Sequence, residues 1–122
     1  MQRKYEEIRA YSDKEIREML ERQAVEELII LSLSAGLYHP NWKFAQDLCL
    51  KLAEHSDALV RANAILGLAH AGRVHGRLDR RIVKPVVLRE LRNNEEHRGK
   101  IMDAISDMNQ FLDWNLAGKH QV

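Results

Sequence analysis

A single cysteine, Cys49, excludes an internal disulfide and fits a reducing compartment. Two prolines and six glycines in 122 residues leave little material for linkers. A net charge of only +1 argues against a global field that would draw in nucleic acid or an anionic membrane, so local charge has to carry any such role. The longest apolar run, residues 28–33, is far short of the roughly 20 residues that span a bilayer. The first fifteen residues, MQRKYEEIRAYSDKE, lack the apolar core of a signal peptide. The expected location is therefore cytoplasmic. Also missing are an HExxH, a CxxC pair, a G-x-S-x-G and a phosphate loop, and no paired-carboxylate arrangement accompanies the nearest histidines, His70 and His75. The expectation is a chain that is not an enzyme and holds neither cofactor nor metal.

What is present reads as one all-α domain over residues 1–122, with 45% hydrophobic and 30% charged residues. A chain of this size buries roughly two thirds of its unfolded surface without needing staples. The stretch DALVRANAILGLAHAG, residues 57–72, is apolar on nearly every side. Asp57 caps its start, Gly72 is placed to end it, and Val60, Ala64, Leu68 and Ala71 recur at helical spacing. Such a helix needs partners on at least two sides.

Along the chain, residues 1–11 fit either a short docking helix or a frayed arm. Ser12 and Glu15 form a capping box. Ile16, Met19 and Leu20, then Val25, Ile29, Ile30 and Leu33, belong to one long helix or to two broken near Gln23. Tyr38 to Asn41 reads as a turn, because Pro40 disfavours helix at His39 and Asn41 is a good cap. Phe44, Ala45, Leu48, Cys49 and Leu52 make an amphipathic stripe, on which Cys49 reads as a buried packing thiol. Gly72 to Gly76 breaks the central helix, and Asp79 is placed to start the next. Val83, Val87, Leu88 and Leu91 mark a buried face, in which Pro85 predicts a kink or a late start. Ile101, Ile105, Met108 and Leu112 carry the last helix, and residues 117–122 are expected to fray.

Internal repetition is visible. A shift of 37 residues sets Val60, Arg61, Ala64, Ile65 and Leu68 on His97, Arg98, Ile101, Met102 and Ile105. A shift of 39 sets Phe44, Leu48, Cys49 and Leu52 on Val83, Val87, Leu88 and Leu91, and one of 35 sets Val25, Ile29, Ile30 and Leu33 beneath the core positions of the central helix. The chain thus reads as an α-α superhelix of about three antiparallel helix pairs.

Asp57-x-x-Val60-Arg61-x-x-Ala64-x-x-x-Leu68 resembles the second helix of a HEAT-like repeat. Val83-x-Pro85-Val86-Val87, with Leu88 and Leu91, resembles a first helix. The likeness covers residues 41–114. The segments Val60-Arg61-Ala62-Asn63-Ala64-Ile65-Leu66-Gly67, Arg73-x-His75-Gly76-x-Leu78-Asp79, Val83-Lys84-Pro85 and Asp107-x-x-x-Phe111-Leu112-x-Trp114 are similar to small HEAT-like immunity proteins of bacterial contact-dependent growth inhibition and polymorphic toxin systems. That resemblance implies a monomer that binds a cognate secreted toxin 1:1, a nuclease by expectation, and occludes its active site. Two other functions are open to the same sequence: an adaptor for an endogenous partner and a nucleic-acid-binding module.

In stacked pairs the second helices line one wall. Asn63, Gly67 and His70, at i, i+4 and i+7, share a face of the central helix, with Lys100, Ala104 and Asp107 as repeat equivalents in the last pair, Leu28, Ser32 and Ala35 in the first, and Asp103 beside Lys100 and Asp107. Asn63, His70, Lys100, Asp103 and Asp107 are therefore the expected partner-binding residues, against the plainer reading of a solvated stripe. Arg73, His75 and Arg77 are expected loop or basic contacts, with His75 organising the loop. Residues 73–92 hold seven Lys or Arg against Asp79 and Glu90, but no interleaved aromatics on which bases would stack. Trp114 and Phe111 fit a capping layer or an aromatic anchor for a partner.

Overall fold

A computed structural model describes residues 8–116. Among them are six α-helices and no strand: α1 (Asp13–Arg22), α2 (Val25–Tyr38), α3 (Trp42–Leu52), α4 (Ala58–His75), α5 (Arg80–Asn93) and α6 (Arg98–Leu112). Each start has a local cause. Ser12 accepts from the Glu15 amide at 3.1 Å while Glu15 accepts from the Ser12 amide at 2.9 Å, which completes the capping box. Arg9 and then the Ser12 amide hold the Glu15 carboxyl down at about 2. Asn41 and Asp57 each accept from two amides of the helix that follows. Gln23 breaks α1 from α2 in a left-handed conformation, so two helices form rather than one. Residues 8–12 are not helical; the rest of the N-terminal arm and residues 117–122 lie outside the described residues.

The helices stack in pairs. Asn63 of α4 bonds to the Ile29 carbonyl of α2 and Gly67 lies against Ser32, so α2 and α4 run parallel. Gly72 meets Leu112, which sets α6 parallel to α4. Gln46, near the start of α3, reaches Asp79 beyond the end of α4. Arg61, near the start of α4, reaches Glu90 at the end of α5. Helices α3 and α5 therefore run antiparallel to α4, giving an outer layer α3, α5 over an inner layer α2, α4, α6, with α1 packed on α2. Helix α4 packs on α2, α3, α5 and α6. Val60, Ile65 and Leu68 are fully buried in it, each contributing about 1.5–3 kcal/mol.

Three expectations are corrected. Helix α4 does not end at Gly72; it continues to His75, and Gly76 at φ 71° is the left-handed cap, because Gly72 is needed where Leu112 and Leu78 press against the helix. Helix α5 begins at Arg80 and passes through Pro85, so there is no late start. The first pair fits its neighbour with an offset of 36, not 35. Leu28, Leu31, Ser32, Ala35 and Gly36 are buried where α4 buries Ala64, Gly67, Leu68, Ala71 and Gly72. The more apolar Val25, Ile29, Ile30 and Leu33 are only half-buried. Ser32 and Gly36 take inward positions because the two helices touch backbone to backbone there, while Leu28 and Leu31 fill the core beside them.

No helix among the described residues is long and apolar enough to cross a membrane. Trp114 and Leu116 are buried, with the Asn109 side chain bonded to both the amide and the carbonyl of Leu116. Trp114 thus closes the last pair, whereas Phe111 stays 46% exposed.

Candidate partner-binding surface

The expected outward stripe of α4 divides. Asn63 is buried and its Nδ2 donates to the Ile29 carbonyl at 2.8 Å. A Cβ at Gly67 would collide with the Ser32 carbonyl oxygen. Both residues belong to the α2–α4 seam, and the expectation that they face outward is corrected. His70 is half-buried at the rim of that seam, beside Gly36. Burial pushes its pKa below the usual imidazole value; the neighbouring Arg73 pushes the same way and Asp107 opposes them. His70 thus lies within electrostatic reach of both Arg73 of α4 and Asp107 of α6. Ser32 Oγ, Asn63 Oδ1 and His70 Nδ1 are buried without a hydrogen-bond partner among the described residues, so the seam is polar at its rim but not internally satisfied.

The outward side of the inner layer consists of what the seams and the outer layer leave uncovered. On α2 these are half-buried Ile30, Leu33 and Leu37. On α4 they are half-buried Leu59, Leu66 and His70, followed by exposed Arg73. On α6, Lys100 and Asp103 are exposed and Asp107 is half-buried, at i, i+3 and i+7. Among the described residues these three form no ion pair. The wall therefore grades from apolar at α2 to charged at α6. It has the mixed character of a non-obligate protein interface.

The basic stretch resolves into parts. His75 does organise its loop: its Nε2 lies 3.0 Å from the His39 carbonyl oxygen. Arg77 stacks 4.2 Å over the Trp42 ring. Arg89 pairs with Glu54 at 2.8 Å and donates to the Ala53 carbonyl. Arg61 donates to Glu90 at 3.0 Å and to the carbonyls of His55 and Ser56. Glu90 is buried and also accepts from Asn94 at 3.2 Å. Glu90, Asn94 and Gln46 escaped the sequence reading as anchoring residues. The available signal was phase: Glu90 sits three residues after Val87 and seven after Val83, on the buried face.

For catalysis the arrangement offers little. No group of three His, Cys, Asp or Glu among the described residues could hold a metal. Cys49 is buried and burial pushes its thiol up to about 12, far from a nucleophile's range. A shallow depression of about 690 Å³ at the α5–α6 turn is lined by Arg61, Arg92, Asn94, Glu95 and Glu96 among others, and its Arg61 is already committed to Glu90.

No family model matches the chain, and no curated protein matches it. Among solved structures, 90% of this chain superposes on 98% of a chain in the crystal structure of a CDI complex from Cupriavidus taiwanensis LMG 19424, with a TM-score of 0.73 and 22% identity. At that identity the likeness shows a shared fold, and near-complete coverage of both chains makes it a likeness of whole domains.

Proposed function

We propose that this chain is an immunity protein of a contact-dependent growth inhibition system, which binds a cognate secreted toxin and neutralises it by covering its active site. The observation that carries the reading is the whole-domain likeness to a chain found in a CDI complex. The sequence resemblance to HEAT-like immunity proteins points to the same system independently. A stoichiometric inhibitor needs a rigid surface and no reactive group of its own, which fits the pinned α4–α5 loop and the inert Cys49.

The proposed contact surface is the outward wall of α2, α4 and α6, with His70, Lys100, Asp103 and Asp107 meeting the partner. Buried Asn63 acts through the seam, by holding α2 against α4. The apolar half of the wall would supply close contact and the charged half register and encounter rate.

Expression of the toxin domain encoded beside this chain should arrest growth, and co-expression of the chain should restore it with a 1:1 complex on purification. Continued killing at matched soluble expression refutes the reading. Degradation of RNA or DNA by the free toxin, stopped by equimolar chain, tests the expected nuclease activity.

A further inference from the structure

The corner between α4 and α5 carries a surface that the fold does not need. Arg73, Val74, Arg77, Arg80, Arg81 and Ile82 are all exposed there, Val74 and Ile82 each by 47%. The backbone beneath them is pinned. His75 holds the His39 carbonyl, the Asp79 amide donates to buried Gln46 at 2.6 Å, Leu78 rests on Gly72, and Arg77 lies on Trp42. A corner fixed in this way loses little conformational entropy when something docks on it.

Its charges are not balanced by partners among the described residues. Arg73, Arg80 and Arg81 have no hydrogen bond or ion pair among the described residues. Asp79 and Asp107 are close in the chain or in space but pair with none of them, and Glu90 is buried with Arg61. Arg80 and Arg81 occupy the first turn of α5, which holds no acidic residue, and Asp79 gives it no side-chain cap. Cations at that position oppose the positive end of the helix dipole, where carboxylates would stabilise. Local stability therefore does not explain these two arginines, nor the exposed Val74 and Ile82.

We propose that this corner docks an acidic, partly apolar protein surface; the inference rests on the immunity reading and takes that surface to belong to the toxin. Arg73 continues the α4 stripe of Leu66 and His70, so this edge of the corner adjoins the inner wall, while Arg80, Arg81 and Ile82 belong to the outer helix α5. The unpaired arginines would steer encounter, and Val74 and Ile82 would supply contact that excludes water. Nucleic acid is the other anionic class, but residues 73–92 contain no Phe, Tyr or Trp to stack a base, His75 is held on the His39 carbonyl and Trp42 is covered by Arg77.

The test uses the full chain and the toxin domain encoded beside it. The double variant Arg80→Glu/Arg81→Glu should melt at the same temperature as the wild type or higher, since its carboxylates suit the helix start. Its association with the toxin at low salt should nonetheless slow about tenfold or more, with a flatter salt dependence. Val74→Ser/Ile82→Ser should speed dissociation and leave the salt dependence alone. If the wild type does not bind the toxin at all, the immunity reading fails and the corner falls with it. If the wild type binds and the charge-reversed variant associates equally fast with the same salt dependence, the corner proposal alone is overturned. It is also overturned if the reversal abolishes binding of a single-stranded RNA 20-mer while toxin kinetics stay unchanged.

Discussion

Gly67 of α4 lies against the backbone carbonyl of Ser32 in α2, with no room for a Cβ between them. Gly36 meets the Gly67 carbonyl in the same way. The two inner helices are thus in backbone contact along the seam whose rim carries His70.

That closeness makes Gly67→Ala a destabilising change although alanine is the better helix former. The new methyl would meet the Ser32 carbonyl and lie 2.8 Å from Cys49 Sγ. The expected loss is about 1–3 kcal/mol, read as a lower urea midpoint. Gly99→Ala, whose Cβ would meet nothing within 4 Å, should instead gain up to about 1 kcal/mol. Equal effects of the two changes would contradict the seam.

Glu90 and Arg61 join the end of α5 to the start of α4 across 3.0 Å. Glu90→Ala leaves the partly buried Arg61 without its carboxylate and should cost about 3–5 kcal/mol. The apolar pair Arg61→Met/Glu90→Leu should cost less than Glu90→Ala alone, because no buried charge is left unpaired. A double-mutant cycle by chemical denaturation measures the coupling.

His70 predicts a specific pH response. Burial, with Arg73, lowers its pKa from 6.5 in the native state, against the pull of Asp107. Between that lowered value and 6.5 the unfolded chain binds more protons than the folded one, so stability rises with pH there. His70 therefore contributes a stabilisation that is complete above about pH 6.5 and is lost as pH falls below it. Urea midpoints at pH 7.5 and 5.5 should differ more for the wild type than for His70→Gln.

The Cys49 thiol, fully buried and pushed up to about 12, should be inert to a thiol reagent at pH 8 in the native protein and react at once in urea. Labelling should follow global unfolding, because Cys49 sits at the α3–α4 contact beside Ser32 and Gly67. Rapid labelling of the native chain would place it outside the core.

The parts of the fold that rest on periodicity and capping were legible in the sequence. Ser12 with Glu15, Asn41 and Asp57 mark three helix starts because their side chains bond to amides two or three residues away. The offset of 37 between α4 and α6 holds at Ala64 and Leu68, which correspond to buried Ile101 and Ile105, but not at buried Ile65, whose counterpart Met102 is exposed. The first pair was misaligned by one residue because hydrophobicity ranks Ile29 and Ile30 above Ser32 and Gly36. The fold ranks them by size, since α4 comes too close for anything larger.

The candidate site was less legible than the fold. Asn63 and His70 occupy one stripe in sequence, but only the position of α2 decides that the first is buried and the second reaches the rim. Arg77 and Arg89 count as basic residues in a charge tally. Trp42 takes up one as a stacking partner and Glu54 the other as a counter-charge, while Arg80 and Arg81 form no ion pair among the described residues.

The sequence by itself determined an all-α chain of about three helix pairs and most of their approximate limits, because these follow from contacts within about four residues or from a repeated apolar pattern, but it left open whether residues 12–36 form one helix or two. Only the tertiary structure decided which polar residues face outward. That depends on how closely neighbouring helices approach, and the approach is set by small residues such as Gly36, Gly67 and Gly72 meeting atoms about 30 to 40 positions away in the chain.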